Sequence, residues 1–453
     1  MNTFQDWPWR HWLHQRPDAT AIIFDQRPLS WRELTDRIDA LAGGFARQGV
    51  KAGDGVALRA RNGESVVLAW LALLQCGARV LPLNPQLPDT LLAELLPGLD
   101  IRFALALEGA AAVDGLPALI LSDDIPAAVE WQGERLVSMT LTSGSTGLPK
   151  AAVHQAEAHL MSAAGVLSLM TLEPDDRYLL SLPLFHVSGQ GIFWRWLLRG
   201  SALVVRDMHP LEQALAGCTH ASLVPTQLWR LLEQPQAVSL KAVLLGGSAI
   251  PVSLTDAAAQ RGIHCYCGYG LTELASTVCA KVADGEADVG SALPGREVKI
   301  VNEEVWIRAS SMASGYWRNG GLQRFTDEQG WFATRDRGVI TEGKLTILGR
   351  LDNQFFSGGE GIQPEALERI IAQHPCVQQV FIVPRDDAEF GQRPVAVVEC
   401  DGEPDTQALG AWVQDRLARF QQPVAWLKLP EHLRQGGIKI SRKALLDWVN
   451  GRL

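Results

Sequence analysis

The sequence predicts an α/β protein: a large N-terminal domain of layered α/β sheets with a small β-barrel-like portion, followed by a small α+β domain. Up to Val298, short apolar strands alternate with amphipathic helices, which is typical of layered α/β folds. After Val298, short and often alternating strands are separated by turns. The 453 residues, 47% of them hydrophobic, suffice for two or three compact units that need no disulfide framework.

Local signals justify the elements of the first part in order. Ser30 and Glu33 form a capping-box pattern that opens a helix, and another helix begins near Glu64 and carries the apolar run 66–78. Buried strands are predicted for the short apolar runs at 21–24, 56–60, 80–81, 118–121, 203–205, 221–224 and 242–245.

The second part shows strand patterns first and a mixed pattern later. A helix is predicted over 365–373. Strands are predicted at 298–302, 304–307, 338–340, 344–348, 380–383 and 395–398. We place the domain boundary at Asp352, so that the large domain covers 1–351 and the small domain 352–453.

Composition and charge exclude several classes of protein. Acidic residues outnumber basic ones, 50 against 41, and the net charge of -9 argues against a nucleic-acid partner. The longest apolar run has 13 residues, whereas a membrane-spanning helix needs about 20, so we expect no integral membrane segment. No secretory signal is visible and the seven cysteines are spread thinly. We therefore expect reduced thiols and a cytoplasmic protein, and the sequence leaves homo-oligomer formation open.

The strongest chemical signal is the segment 142–150, which follows a strand-like run at 137–141. It offers hydroxyl, backbone and ammonium donors to an anion through Thr142, Ser143, Gly144, Ser145, Thr146, Gly147 and Lys150. A Walker A loop is excluded because Pro149 precedes the lysine and Ala151 follows it. The alternative, a flexible Ser/Gly linker, fits poorly between apolar strands.

This segment resembles the phosphate-binding signature of the adenylate-forming enzymes, which include acyl- and aryl-CoA ligases, nonribosomal adenylation domains and luciferases. Other segments resemble further signatures of that superfamily in the same order, from about Leu29 to Leu446. They are 183–186 with Gly189, 246–251, 268–273, 332–336, 349–352 and 437–442.

The resemblance implies roles for individual residues. Lys439 is the main cation at the α-phosphate, Thr272 contacts that phosphate, and Glu273 helps to hold Mg²⁺. The acyl pocket lies beside His186. Besides the segment 142–150, the implied nucleotide-binding residues are Gly246, Gly247, Ser248, Gly268, Tyr269, Gly270, Asp336 and Arg350.

The resemblance also implies a reaction in two halves. The carboxylate of an acid attacks the α-phosphate of ATP, and the acyl-adenylate then reacts with a thiol. The small domain would be mobile about the hinge Asp352, and Ser357, Gly358 and Gly359 would line the thiol channel. The chain ends at Leu453 without a carrier domain, so we expect coenzyme A as acceptor, with a carrier-protein thiol as the alternative.

The sequence departs from the superfamily at two positions. Arg335 stands where glycine is usual, and Phe356 replaces a lysine that commonly follows the hinge. Simpler interpretations also stay open: Asp336 could pair with neighbouring arginines, His186 could be a packed core residue, and Lys439 could be a solvated strand lysine.

The identity of the acid is suggested by Arg195, which lies among aromatic and aliphatic residues. A guanidinium there is costly unless an anion pairs with it, as the second carboxylate of an aromatic diacid would. Ser188, Gly189 and Gln190 are further candidate substrate contacts. The alternative is that Arg195 extends to solvent.

Together with the short chain and the segment 355–360, this pattern is most similar to the bacterial o-succinylbenzoate–CoA ligases of menaquinone biosynthesis. The alternatives are a stand-alone adenylation enzyme that loads a carrier protein, a CoA ligase for another aromatic acid, and a non-catalytic nucleotide-binding protein.

Overall fold

A computed structural model describes residues 4–142, 148–234, 239–358, 360–434 and 440–452. The chain divides into two compact units. The large unit consists of 1–297 and 308–332, and the small unit of 298–307 and 333–453. This division follows spatial contacts, and the boundary at Asp352 stays a prediction. The mixed α/β class, with one large and one small part, is confirmed.

The helices of the described residues show the predicted sequence signals. Ser30 and Glu33 form the expected capping box, and the side chains from Val66 to Gln75 are all buried in one central helix. The helices are α1 (Pro8–Gln15), α2 (Trp31–Arg47), α3 (Glu64–Gln75), α4 (Asp89–Leu95), α5 (Ala156–Leu167), α6 (Val187–Arg199), α7 (Leu211–Ala214), α8 (Pro225–Glu233), α9 (Val252–Gln260), α10 (Pro364–Ile371), α11 (Thr406–Gln414), α12 (Glu431–Arg434) and α13 (Arg442–Asn450).

The strands lie mostly where apolar runs predict them. Those before Arg296 are β1 (Thr20–Phe24), β2 (Arg27–Ser30), β3 (Gly55–Arg59), β4 (Arg79–Leu83), β5 (Ile101–Ala106), β6 (Leu136–Thr142), β7 (Lys150–Gln155), β8 (Arg177–Leu179), β9 (Ala202–Val205), β10 (His220–Leu223), β11 (Ala242–Leu245), β12 (His264–Leu271), β13 (Ser276–Val282) and β14 (Ser291–Ala292). The others are β15 (Arg296–Val301), β16 (Glu304–Ala309), β17 (Gly315–Arg318), β18 (Gly321–Gln323), β19 (Phe332–Thr341), β20 (Lys344–Arg350), β21 (Phe355–Ser357), β22 (Glu360–Ile362), β23 (Gln379–Asp387), β24 (Gly391–Glu399) and β25 (Ala425–Lys428).

The large unit is built on two twisted sheets of the described residues. One has the order β14-β13-β12-β11-β10-β8-β9-β1-β2, with a parallel centre and antiparallel edges. The other has the order β18-β17-β7-β6-β4-β3-β5. In that sheet β6 and β7 are antiparallel neighbours, and β17 pairs with β7. This pairing matters for the site because Lys150 begins β7 and Tyr316 lies on β17.

The small unit carries a different pair of sheets. Four strands in the order β15-β16-β19-β20 form one sheet. The sequence predicts a β-barrel-like portion in the large domain, whereas most of this sheet belongs to the small unit. The other has the order β22-β21-β24-β23, with β25 parallel to β24, and α10, α11 and α13 are amphipathic helices of the same unit. Its apolar core includes Phe355, Ile362, Leu367, Ile382 and Val398.

One predicted strand is wrong. The run 118–121 forms no strand and contributes a single isolated bridge, between Ala118 and Ala104. Leu119 is buried, but Ile120 and Leu121 are 66% and 38% exposed, so the apolar composition of the run does not mark a buried strand. The predicted thiols are confirmed: all seven cysteines are free, and six of them are buried. No helix of the described residues is long and apolar enough to cross a membrane.

Candidate active site

The predicted phosphate-binding segment, 142–150, lies between two strands of one sheet. Thr142 ends β6 and Lys150 begins β7, and the two residues face each other in the antiparallel register. Ser143, Gly144, Ser145, Thr146 and Gly147 lie outside the described residues. Because Lys150 opens a strand and not a helix, the geometry agrees with the exclusion of a Walker A loop.

Thr272 and Glu273 lie on a strained turn at the end of β12. A short 3₁₀ turn covers Thr272–Leu274, and Ala275 and Ser276 follow with φ angles of 52° and 104°. Non-glycine residues adopt such angles only where the surroundings impose them, and these positions are common at functional sites. Gly270 permits the close approach of the chain, because a Cβ there would lie 1.9 Å from the carbonyl oxygen of Ser276.

Among the described residues, the carboxylate of Glu273 has a neutral hydrogen-bond partner and no cationic one. The side chain is buried, with 8% of its surface exposed. Its Oε1 accepts a hydrogen bond of 2.6 Å from the hydroxyl of Tyr316. No Lys or Arg of the described residues forms an ion pair with it, so its charge is available to a cation. These features fit the predicted magnesium ligand, which would share the ion with phosphate oxygens and water.

Tyr316 also lies beside Lys150 of the predicted phosphate-binding segment. The Nζ of Lys150 is 5.0 Å from the centre of the Tyr316 ring, within the range of a cation–π contact. Tyr316 therefore contacts two predicted site residues, although sequence reasoning did not select it. The only local signal is an aromatic residue after Gly315 in a strand-like segment, which predicts no specific partner.

The predicted adenine-facing residues come together at the carboxyl ends of β11 and β12. Gly246, Gly247 and Ser248 directly follow β11, and Gly268 and Tyr269 lie on the neighbouring β12. A Cβ on Gly246 would be 3.4 Å from the carbonyl oxygen of Gly268, so the two segments approach closely. Ser248 is exposed and Tyr269 half-buried.

The segment predicted to lie beside the acyl pocket leads into α6. His186 is the N-cap residue, and burial lowers the pKa of its imidazole, so the ring is neutral at pH 7. Ser188 is half-buried. Gly189 packs so tightly that a Cβ would be 2.1 Å from the Pro183 carbonyl oxygen. Gln190 is fully buried and its Nε2 donates to Thr140 Oγ1, so a substrate contact by Gln190 stays a prediction.

Arg195 is buried, so the alternative that its side chain extends to solvent is wrong. Its side chain lies in the middle of α6 and is 1% exposed. Nη1 donates to the Tyr178 hydroxyl at 2.9 Å and to Ser222 Oγ at 3.3 Å, and Nε has no partner in the described residues. None of the described carboxylates pairs with Arg195. A buried guanidinium with only neutral partners favours an anionic ligand.

Two buried histidines lie beneath the turn that carries Thr272 and Glu273. Burial lowers the pKa of His154 to about 4, although the nearby backbone of Thr272 and Glu273 acts in the opposite direction. Its ring is 4.9 Å from that of His159, whose Nε2 lies 2.7 Å from Ser138 Oγ. Both rings are therefore neutral at pH 7. Sequence reasoning missed them because a lone histidine on an apolar strand or helix resembles any packed side chain.

In the small unit, Asp336 is buried beside Arg350. Nη1 of Arg350 donates to Asp336 Oδ1 at 3.2 Å. The neighbouring arginines have described partners of their own: Arg335 binds Asp352 and Arg337 binds Glu303.

Arg335, which stands where glycine is usual in the superfamily, adopts a left-handed conformation. Its φ angle is 63°, and its guanidinium binds Asp352 Oδ1 at 2.8 Å. The ion pair with the predicted hinge residue partly offsets the cost of that backbone conformation.

Two of the predicted thiol-channel residues, Ser357 and Gly358, lie at the end of β21 and on the turn after it. Ser357 is fully buried, and Gly358 has a φ angle of 59° and donates its N–H to the Phe390 carbonyl at 2.8 Å. Gly359 and the predicted catalytic Lys439 lie outside the described residues.

Two family models match the sequence. The model described as AMP-binding enzyme matches residues 9–317, and the model described as AMP-binding enzyme C-terminal domain matches residues 366–434. The first match covers more than half of the chain.

Individual proteins of known name are similar over nearly the full length. The 2-succinylbenzoate–CoA ligase of Salmonella typhimurium is 66% identical over 448 residues, covering 99% of this chain and 98% of that protein. The structure of R195K Escherichia coli MenE with bound OSB-AMS is 63% identical with a TM-score of 0.96, and the match covers 100% of both chains. Bacillus subtilis MenE in complex with ATP and magnesium ion shares the fold, with 23% identity, a TM-score of 0.84 and coverage of 94% of this chain and 96% of that one.

Proposed function

Because the chain belongs to the AMP-binding enzymes, we propose that it is an ATP-dependent, AMP-forming ligase that joins 2-succinylbenzoate to coenzyme A. The relatives at 66% and 63% identity support this substrate. The observation that carries the proposal within this chain is Arg195, a buried cation whose described partners are neutral hydroxyls. A substrate with a second carboxylate supplies the missing negative charge.

In the first half-reaction, a carboxylate oxygen of the acid attacks the α-phosphorus of ATP and pyrophosphate leaves. Negative charge accumulates on the phosphate oxygens, so positioning and charge neutralisation account for most of the catalysis. Lys150 and the hydroxyls of 142–147 bind the β- and γ-phosphates, Thr272 contacts the α-phosphate, and Lys439 supplies the main cation. Asp336, held by Arg350, accepts hydrogen bonds from the ribose hydroxyls.

Glu273 is the residue that would hold magnesium. The ion, when bound, neutralises charge on the phosphates. Glu273 suits this role because its carboxylate is buried and its described side-chain partner, Tyr316, is neutral. The described residues contain no group of three or more His, Cys, Asp or Glu that could hold a metal by themselves. A single carboxylate suffices when phosphate oxygens and water complete the shell.

Arg195 distinguishes a diacid from a simple acid. One carboxylate of 2-succinylbenzoate reacts, and the other pairs with the guanidinium. A charge-assisted hydrogen bond of this kind stabilises a complex by about 1.5–3 kcal/mol. A monoacid leaves Arg195 without a counter-charge and binds correspondingly more weakly.

In the second half-reaction, the thiol of coenzyme A attacks the acyl carbon and AMP leaves with the former carboxylate oxygen. The C–S bond forms as the C–O bond to AMP breaks. His186 is neutral at pH 7 and lies beside the acyl pocket in this proposal. Ser357, Gly358 and Gly359 line the thiol channel, and Asp352 is the hinge.

The test is pyrophosphate release by the full chain with ATP, Mg²⁺ and a panel of acids, each with and without coenzyme A. The panel contains 2-succinylbenzoate, its ester at the distal carboxylate, benzoate and a fatty acid. We expect rapid release and thioester formation with 2-succinylbenzoate, and rates at least about tenfold lower for the others. Pyrophosphate release without a CoA thioester would instead favour a carrier-protein acceptor. No release with any acid would contradict the proposal.

We also propose that the enzyme acts in the cytoplasm, where ATP and coenzyme A are available. The proposal allows the chain to form a homo-oligomer. Cell fractionation tests the location. Sedimentation of the purified chain at several concentrations tests self-association.

A further inference from the structure

We propose that Tyr316 is a positioning residue that orients both the metal-binding carboxylate of Glu273 and the phosphate-binding ammonium of Lys150. This inference rests on the proposed function, since it concerns the binding of magnesium and ATP. It assigns a role to a residue outside every segment that the sequence signatures select.

The backbone around Tyr316 is attached to the elements that carry both charged groups. The N–H of Ala313 donates to the carbonyl of Glu273 at 2.8 Å, and the N–H of Ser314 donates to the carbonyl of Val153 at 2.8 Å. In the antiparallel pairing of β17 with β7, Tyr316 lies opposite Ala152, two residues after Lys150. The position of the ring therefore depends on the same two segments that it contacts.

The side chain contacts the two groups with different parts of its ring. The hydroxyl donates a hydrogen bond of 2.6 Å to Glu273 Oε1, which is short, as expected for a bond to a charged acceptor. The ring centre lies 5.0 Å from the Nζ of Lys150. A single tyrosine thus fixes the relative orientation of an anion and a cation that both act on the phosphates.

A phenol is chemically suited to this role because it orients charges without neutralising them. A lysine or arginine at this position would form an ion pair with Glu273 and compete with Mg²⁺. The hydroxyl binds only one carboxylate oxygen, so Oε2 stays available to the ion. The face of the ring likewise attracts the ammonium without contributing a negative charge that would compete with phosphate.

A purely structural role is the alternative, since the ring of Tyr316 also packs against Phe325, with centroids 4.8 Å apart. The substitution Tyr316→Phe separates the two roles. It keeps the ring, the packing and the cation–π contact, and it removes only the hydroxyl that binds Glu273. The substitution Tyr316→Leu removes the ring contact with Lys150 as well.

The experiment measures binding of α,β-methylene-ATP by calorimetry to the full chain, with and without Mg²⁺. We expect Mg²⁺ to improve the affinity of the wild-type chain for the analogue, and Tyr316→Phe to reduce that improvement about tenfold. Without Mg²⁺, the affinity of Tyr316→Phe for the analogue should stay within about twofold of the wild-type value, because the ring still faces Lys150. Tyr316→Leu should weaken binding in both conditions.

Two controls identify the partner of the hydroxyl. Tyr266→Phe, at a half-buried tyrosine of β12, should leave both affinities unchanged. In a Glu273→Gln background, Tyr316→Phe should have no additional effect on the magnesium response, because the carboxylate that the hydroxyl orients is gone.

An unchanged magnesium response in Tyr316→Phe would overturn the inference, because a purely structural role of the ring predicts that result. A loss of folding in Tyr316→Phe would also overturn it, because the hydroxyl would then be needed for the fold itself. Failure of the proposed function is distinguishable, because it would appear as absence of pyrophosphate release by the wild-type chain with any acid. The binding measurement with the analogue does not depend on turnover.

Discussion

Charged and ionisable groups that are removed from water have different partners in two regions of the molecule. Beneath the end of β12 in the large unit, Glu273, Arg195 and the neutral His154 are buried without an oppositely charged partner among the described residues. In the small unit, Asp336 is paired with Arg350 and Glu368 with Arg442. Both regions hold charged or ionisable groups that are buried or half-buried, where a charged form without a partner is costly.

The difference indicates which charges are balanced within the fold and which are positioned to bind a ligand of opposite charge. A buried ion pair in which each charge balances the other can persist without any additional molecule. A buried charge with neutral partners is retained at a cost in stability, and that cost is offset when a ligand of opposite charge binds. The large unit has this arrangement at Arg195 and at Glu273, where the proposal places a carboxylate and a magnesium ion.

Arg442→Ala should have the largest effect on stability. It leaves the half-buried Glu368 without the guanidinium that lies 2.6 Å away, and we expect the free energy of unfolding to fall by about 2–3 kcal/mol. Urea denaturation of the full chain measures this. A second change, Glu368→Gln, should recover part of the loss because no uncompensated charge is left. Arg416→Ala, at an exposed arginine, is the control. If Arg442→Ala were as stable as Arg416→Ala, the ion pair between Arg442 and Glu368 would not stabilise the fold.

Arg195→Ala should have a large effect on the KM for the diacid substrate and a small effect on the free energy of unfolding. We expect the KM for 2-succinylbenzoate to rise about 100-fold and that for benzoate to change by less than about threefold. Steady-state pyrophosphate release measures both. Arg199→Ala is the matched control, because Arg199 lies one turn later on α6 and pairs with Glu173 near the surface. Equal losses for the diacid and the monoacid would contradict the assignment.

Acid should destabilise the chain through His154. Its pKa is 6.5 unfolded and about 4 folded, so between these values only the unfolded chain binds the proton. Stability is therefore complete above pH 6.5 and falls by about 1.4 kcal/mol per pH unit as pH decreases towards 4. Urea midpoints at pH 7 and pH 5 measure the effect, and His154→Gln should show a smaller decrease. The exposed His264→Gln is the control and should lose as much stability on acidification as the wild type. If His154→Gln also lost as much, His154 would not be the cause of the acid effect.

Arg335→Gly should have the smallest effect. Glycine relieves the left-handed conformation at a φ angle of 63°, but it also removes an ion pair with Asp352 and increases the freedom of the unfolded chain. These contributions nearly cancel, so the free energy of unfolding should change by less than about 0.5 kcal/mol. Arg335→Gln keeps the strain without the ion pair and should be less stable than either. If Arg335→Gly were stabilised by more than about 1 kcal/mol, the ion pair would contribute nothing.

Local patterns in the sequence were sufficient to predict most of the fold. The capping box at Ser30 and the buried helix after Glu64 follow from short-range chemistry, and the structure confirms both. The run 118–121 was predicted as a strand because its composition is apolar, but pairing in a sheet depends on distant partners that composition does not specify. Ile120 stays exposed for that reason.

The candidate site was predictable only where a residue belongs to a signature segment. Glu273 and Lys150 were selected in this way. Tyr316 and His154 were not, because their importance arises from contacts between segments that are far apart in the sequence, such as the hydrogen bond from Tyr316 to Glu273. Arg195 is an intermediate case: its apolar neighbours in the sequence suggested burial, and only the structure shows that its partners are neutral.

The most direct test of the central claim is a crystal structure of this chain with 2-succinylbenzoyl-adenylate or a stable analogue of it. The account predicts that the distal carboxylate lies about 2.8–3.0 Å from a guanidinium nitrogen of Arg195, or is joined to it through one water. A distal carboxylate that points to solvent, with Arg195 still bound only to Tyr178 and Ser222, would contradict it.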